Sequence, residues 1–241
     1  MKPLATIIPA ALFLSAIACS SNEIGFSKDV NPGTVYMDYY ISYTEGEDSV
    51  NCFLQYRFAG ENGTTLVLSE PSTVKIDGNE IKVDSSDFSG AYYEKKFAVG
   101  SFTGDHTIAF TDMNGKTRTE VFNFHRIKVA NDIFSANKQC DLVLNFEHLQ
   151  PEDIIEVNIT DTSGTTDDIK IAAQPVNGKL IISAAQLQGI SDGPCKLEIY
   201  KSSSNNLQQA TAEGGRIRFI HVIKETSVEL RDAATEATST L

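Results

Sequence analysis

The sequence predicts an all-β protein built of antiparallel sandwiches, and three observations carry that expectation. Short runs of β-branched and aromatic residues recur at roughly 8–12-residue spacing along most of the chain. Turn chemistry separates them, as at Asp77-Gly78-Asn79, Asn114-Gly115, Ser163-Gly164 and Asn177-Gly178. No segment holds a helical period over three turns, and the best helical stretch, Ser183–Leu187, is short enough to be a single turn.

The chain opens differently. Lys2 gives a minimal positive start, and Leu4 to Ile17 carries no charge. That run falls short of the about 20 apolar residues a membrane-spanning helix needs. It fits the hydrophobic part of a secretory signal, with small or apolar residues before the cut. The step from Ala16-Ile17-Ala18 into Cys19 resembles the signal of bacterial lipoproteins. The resemblance implies removal of residues 1–18, acylation of Cys19 (palmitate among the chains) and a membrane anchor on the extracytoplasmic side. In a Gram-negative cell that side means the outer membrane or the cell surface. Ala16 stands where Leu is commoner in that family. A plain secretory signal cut near Ala18, with Cys19 incidental, is the alternative.

Removing residues 1–18 leaves 223 residues, enough for one or two domains. The formal charge of −12 becomes −13 when Lys2 leaves. So acidic a chain is a poor partner for nucleic acid or for an anionic lipid surface. No second long apolar run follows the first, so the membrane partner is reached through the N-terminal lipid alone.

Residues 19–33, rich in Ser, Asn and Gly after Cys19, read as a tether. From Thr34 the strand pattern begins, and with it an internal repeat. Val50-Asn51-Cys52-Phe53-Leu54-Gln55-Tyr56-Arg57-Phe58 matches Lys138-Gln139-Cys140-Asp141-Leu142-Val143-Leu144-Asn145-Phe146 at Cys, Leu and Phe. Later, Gly104–Phe110 parallels Gly193–Ile199. The separations agree: 54 residues from Cys52 to His106, and 55 from Cys140 to Cys195. Two tandem sandwiches are therefore expected, residues 34–125 and 126–225, meeting at His125-Arg126-Ile127 without a spacer. A short junction predicts a stiff, extended pair. Residues 226–241 read as a polar tail.

Strand alternation puts Cys140, Leu142, Leu144 and Phe146 on one face, and Cys195, Leu197 and Ile199 on another. The spacing of the two cysteines resembles that of the inter-sheet pair of immunoglobulin domains. That resemblance implies an immunoglobulin-like sandwich and a Cys140–Cys195 disulfide, closing a loop worth about 4 kcal/mol in the chain-entropy model. The chain lacks the Trp that stacks on such a bridge, and Gly193 stands where the family has a Tyr.

The first repeat keeps Cys52 but has His106 at the partner position. A Cys–His nucleophile or half of a metal site needs access and further ligands. Inward-facing positions favour a buried thiol and a hydrogen-bonded histidine instead. The acidic loops Asp77–Asp87 and Asp161–Asp168 read as solvated turns rather than calcium sites. His125, His148 and His221 are scattered. No hydrolase elbow, phosphate loop or paired-His motif is present, so the expectation is a non-catalytic protein with no cofactor and no metal.

The aromatic residues are uneven. Thr34 to His125 holds seven Tyr and eight Phe, whereas the rest of the chain after it holds one Tyr and three Phe. Neighbours Tyr39 and Tyr40, or Tyr92 and Tyr93, cannot share one face of a strand. Some rings among Tyr36, Tyr39, Tyr40, Tyr43, Tyr92 and Tyr93 are then exposed, and exposed Tyr marks binding surfaces. Aromatic packing in a core lacking a bridge is the competing reading. The sequence thus points to a membrane-anchored binding or scaffolding module with an envelope protein as partner, or to a carbohydrate-binding accessory protein using this Tyr-rich domain.

Overall fold

A computed structural model of the chain describes residues 23–232, apart from positions 87, 165 and 167. The expected signal peptide, the acylated Cys19 and residues 233–241 of the expected tail lie outside the described residues.

The first half forms ten strands. They are β1 (Ile24–Phe26), β2 (Val35–Thr44), β3 (Ser49–Phe58), β4 (Thr64–Val67) and β5 (Thr73–Ile76). After these come β6 (Asn79–Glu80), β7 (Val83–Ser86), β8 (Gly90–Ala98), β9 (Gly104–Thr111) and β10 (Thr117–Phe124). The second half begins with β11 (Lys128–Val129), β12 (Ser135–Asn137), β13 (Leu142–Glu147), β14 (Ile155–Asp161), β15 (Ile169–Ala173) and β16 (Lys179–Ile182). One helical turn, α1 (Ala184–Leu187), precedes two long strands, β17 (Gly193–Thr211) and β18 (Gly214–Arg231). Ser183 caps α1 in a reciprocal capping box with Gln186. The protein is all-β and built of packed sheets, as expected.

Alternation decides what is buried. Val50, Cys52, Leu54 and Tyr56 of β3 share one face with Met37, Tyr39 and Ile41 of β2, and both rows enter the first core. Leu142, Leu144 and Phe146 of β13 meet Ile155, Val157 and Ile159 of β14 in the second. Each core is closed by a second sheet. The four-stranded sheet β10-β9-β5-β6 covers the first, and the three-stranded sheet β11-β13-β16 covers the second.

One sheet runs through both sandwiches, in the order β1-β4-β3-β2-β18-β17-β14-β15, with β8 also on β3, β7 on β8 and β12 on β18. The β17–β18 hairpin makes it continuous. Cys195, Leu197 and Ile199 of β17 enter the second core, while Leu207 enters the first. On β18 the ladder slips one residue between Ile199 and Tyr200, leaving Ile223 without an opposite partner. That bulge switches the inward set from the even residues Val228 and Leu230 to the odd residues Ile223, His221 and Ile217. A single strand can therefore face both cores. Its first half pairs with β2 in parallel, Gly215 with Met37 through Val222 with Thr44.

The expected division of the chain changes accordingly. Residues 201–222, placed by sequence in the second sandwich, complete the first. β18 continues to Arg231, past the expected end of the second domain at residue 225. The described part of the expected tether is also folded: β1 pairs with β4, and Ser27 is buried with its Oγ accepting from Ser69 N–H at 2.8 Å.

The junction is a set of crosslinks. Asp153, fully buried, accepts from His125 Nε2 at 2.9 Å, from Gln150 N–H at 2.7 Å and from the Lys201 ammonium. Burial alone would raise the Asp153 pKa, but these three donors outweigh it and hold it at about 2. Arg126 pairs with Glu45 beside them.

Candidate functional site

The outer face of the shared sheet, over β18, β2, β3 and β8, carries the most chemistry. Register brings it together. Asp38 lies opposite Gln55 and Arg216, Tyr40 opposite Phe53 and Arg218, and Tyr36 opposite Arg57. Asp38 is buried, and both guanidiniums reach it: Arg216 Nε to Oδ1 at 3.1 Å and Arg218 Nη2 to both oxygens at 3.1 Å. Arg216 also donates to Glu61 at 2.8 Å. Arg57 donates to Gln55 Oε1 at 2.6 Å and to Gly63 O at 3.2 Å, with no carboxylate partner among the described residues. Among the described residues, this network joins three guanidiniums to two carboxylates, while Glu94 opposite Phe53 and Asp84 opposite Tyr92 add acidic groups at its β8 edge.

Aromatic rings flank this network. Phe53 and Tyr92 stack at 5.0 Å, and Arg218 sits 5.2 Å above the Tyr40 ring. Phe88, in the loop before β8, is 90% exposed. Between the rings and the arginines lies a depression of about 470 Å³ whose lining includes Phe53, Phe88, Gln55, Asn62 and the ion network.

The six tyrosines separate by parity. Tyr39, Tyr43 and Tyr93 are core residues; Tyr36, Tyr40 and Tyr92 are half-buried on the outer face. Tyr39 packs edge-on against Tyr56 with the hydroxyls 3.5 Å apart, and Tyr93 accepts from Leu68 N–H at 2.6 Å. Sequence reasoning missed Phe53, Phe88, Arg57, Arg216 and Arg218. The alternate spacing Arg216-Ile217-Arg218 was the available signal, since two arginines two apart on a strand share a face.

The Cys140–Cys195 disulfide is not formed. Both are free thiols, Cys140 exposed and Cys195 buried. β13 begins at Leu142, so alternation does not extend back to Cys140. That residue instead sits in a turn whose N–H reaches Asn137 O at 3.0 Å. Lys138, two residues earlier, is buried instead, with its ammonium 2.8 Å from Asp192.

Cys52 is buried, which pushes its thiol up to about 12 with a further push from the Asp77 charge. His106 stacks on Phe102 at 3.7 Å and bonds through Nδ1 to Asp77 Oδ2 at 2.7 Å and through Nε2 to Phe102 O at 3.1 Å. Both ring nitrogens are committed to protein partners. The Asp77 carboxylate also accepts from Thr107 N–H at 2.8 Å, and Asp161 accepts from Ser163 and Thr166. These carboxylates brace their own turns.

No family model and no curated protein matches the chain. Solved structures resemble it loosely. One is the paired immunoglobulin domains of DIP-gamma (11% identity, 82% of this chain and 94% of that one, TM-score 0.23). A second is the Bacteroides ovatus mixed-linkage glucan locus protein SGBP-B with a heptasaccharide (13%, 95% and 70%, 0.24). Another is the fibronectin(III)-like modules of Clostridium thermocellum CbhA (9%, 82% and 93%, 0.27). At such low overlap, none of them bears on what this chain binds.

Proposed function

We propose that the chain is a non-catalytic, lipid-anchored binding module of the cell envelope, held on the extracytoplasmic side by acyl chains on Cys19. Its recognition surface is the outer face of β18, β2, β3 and β8, and its partner is an envelope protein. The observation that carries this reading is the row of half-buried rings, with the exposed Phe88 beside them, interleaved with arginines. Aromatic residues and Arg concentrate binding energy at protein interfaces. Arg216 and Arg218 are held in place by buried Asp38, so little side-chain freedom is lost on docking. Only the five-residue step from Cys19 to Ile24, at most about 18 Å of extended chain, separates the acyl site from β1. The first sandwich therefore sits against the membrane and the second projects outward.

The test is site-specific photo-crosslinking in the native envelope from Phe88 and Tyr92, with Ile181, exposed on β16 of the second sandwich, as the control. A protein adduct from the first two positions, lost in Arg57→Ala, supports the reading. Equal adducts from Ile181, or none from the first two, refute it. A second reading, capture of a glycan, rests on the depression beside Phe53 and Phe88, where amide, carboxylate and guanidinium groups adjoin rings. Glycan adducts alone would favour it. Tyr92→Ala is the variant to use, because Tyr39→Ala would damage the core.

A further inference from the structure

A second cavity opens on the other side of the first sandwich. Among the described residues, β10 pairs only with β9, and beyond Tyr200 β17 pairs only with β18. These two edge strands belong to opposite sheets, and the gap between them reaches the core as a cavity of about 440 Å³. Small-ligand pockets span about 300–1,000 Å³. Both ends of the gap are closed. At one, Thr119 N–H donates to Gln209 Oε1 at 3.1 Å and Gln208 N–H to Glu120 Oε2 at 2.9 Å. At the other, His125 and Lys201 converge on Asp153. A window closed at both ends does not admit an added strand.

The floor is apolar, formed by Ile41, Ile217, Phe122 and Phe219, with the two Phe rings 5.5 Å apart. The β17 wall is polar. Ser203 and Asn205 lie opposite Phe219 and Ile217, hence on the inward face, and among the described residues their side chains make no hydrogen bond. Deeper in, His221 is 6% exposed and lines the cavity, and its Nε2, with a Glu45 carboxylate oxygen 3.9 Å away, makes no hydrogen bond. Nδ1 of His125, at the same end, also lacks one. A buried polar atom without a partner is costly and marks a place where a bound group belongs.

Charge narrows the class. An anion would face Glu120 and a cation would face Lys201, since both line the cavity. Burial pushes His221 down to about 4, so it is neutral at physiological pH. A hydrocarbon would leave His221 Nε2, Ser203 and Asn205 unpaired. We infer that the window binds a neutral hydroxylated ring, one pyranose or the end unit of a neutral oligosaccharide. The ring lays its C–H face on Phe122 and Phe219 and its hydroxyls on Ser203, Asn205 and His221 Nε2. This site is independent of the outer face and of the partner proposed for it.

The experiment titrates the full chain with methyl α-D-glucopyranoside, methyl β-D-galactopyranoside, N-acetyl-D-glucosamine and cellobiose. Calorimetry gives affinity, and methyl NMR of Ile41 and Ile217 gives place. At least one probe saturates with millimolar or tighter affinity and shifts the Ile217 methyl. Glucuronate binds more weakly than its neutral counterpart. Asn205→Leu and Ser203→Phe each weaken binding about tenfold or more, whereas Ile181→Ala, on the exposed face of β16, leaves it unchanged. Asn205 is exposed, so its variant folds and carries the test even where Ser203→Phe does not. Failure of all four probes overturns the inference. So does binding that survives both window variants, or that leaves the Ile41 and Ile217 methyls unmoved.

Discussion

Asp153 offers the sharpest test of how the two sandwiches are held together. Its carboxylate is fully buried and joins the end of β10 (through His125), the loop before β14 (through Gln150) and the hairpin (through Lys201). Asp153→Ala leaves the Lys201 and His125 donors facing an empty site. Breaking a buried pair by removing one partner costs about 3–5 kcal/mol, and in a chain of this length that lowers the Tm by about 10 °C. The pH dependence gives an independent reading. The folded pKa is depressed from 3.8 to about 2, so the carboxylate contributes stability that is complete above about pH 4 and fades as pH falls through 2. The contribution is about 2 kcal/mol. Urea denaturation of wild type and Asp153→Asn at steps from pH 6 to pH 2 is the assay, with Lys201→Ala and the double variant completing a cycle at pH 6. The gap between wild type and Asp153→Asn should narrow as the pH drops. A gap constant across that range, or a coupling energy to Lys201 below about 0.5 kcal/mol, would refute the clamp.

Two further outcomes test the hairpin and the cysteines. A Cβ on Gly215 would lie 2.7 Å from Met37 O and 2.7 Å from Leu207 Cδ1, so Gly215→Ala should destabilise by about 1–3 kcal/mol. Gly100→Ala, with nothing within 4 Å, should be close to neutral in the same denaturant titration. In a Cys19→Ser variant, maleimide should label Cys140 in the native protein and add Cys52 and Cys195 only on unfolding, three thiols in all without reductant. Burial raises both inner thiols, which slows their reaction further. A count of one in the unfolded, unreduced protein would contradict the free-thiol structure.

Much of this architecture is written in local pattern. Alternation in β2, β3, β9 and β13 marks the strands, and the pairs Tyr39/Tyr40 and Tyr92/Tyr93 must divide between two faces wherever they fold. Turn residues such as Asn114-Gly115 place the reversals. Even the hydrogen-bonded state of His106 follows, because an inward histidine needs partners, and Asp77 and Phe102 O supply them. Local pattern fails where pairing is remote. Ser202–Asn206 is polar enough to read as loop, yet it is strand because β18 lies across it and β2, more than 150 residues earlier, holds β18 in place. The same remote pairing brings Arg216 and Arg218 to Asp38, and sets Ser203 and Asn205 over a floor made by Phe122 and Phe219. The Cys140 error has the reverse cause. A face assigned by alternation holds only inside a strand, and where β13 begins is decided by its pairing with β16, Leu142 against Ile182. The sequence by itself determined which residues share a face and that the faces would form sandwiches. Which sandwich each segment completes was decided by hydrogen-bonded pairing between distant strands, whose free energy no local window contains.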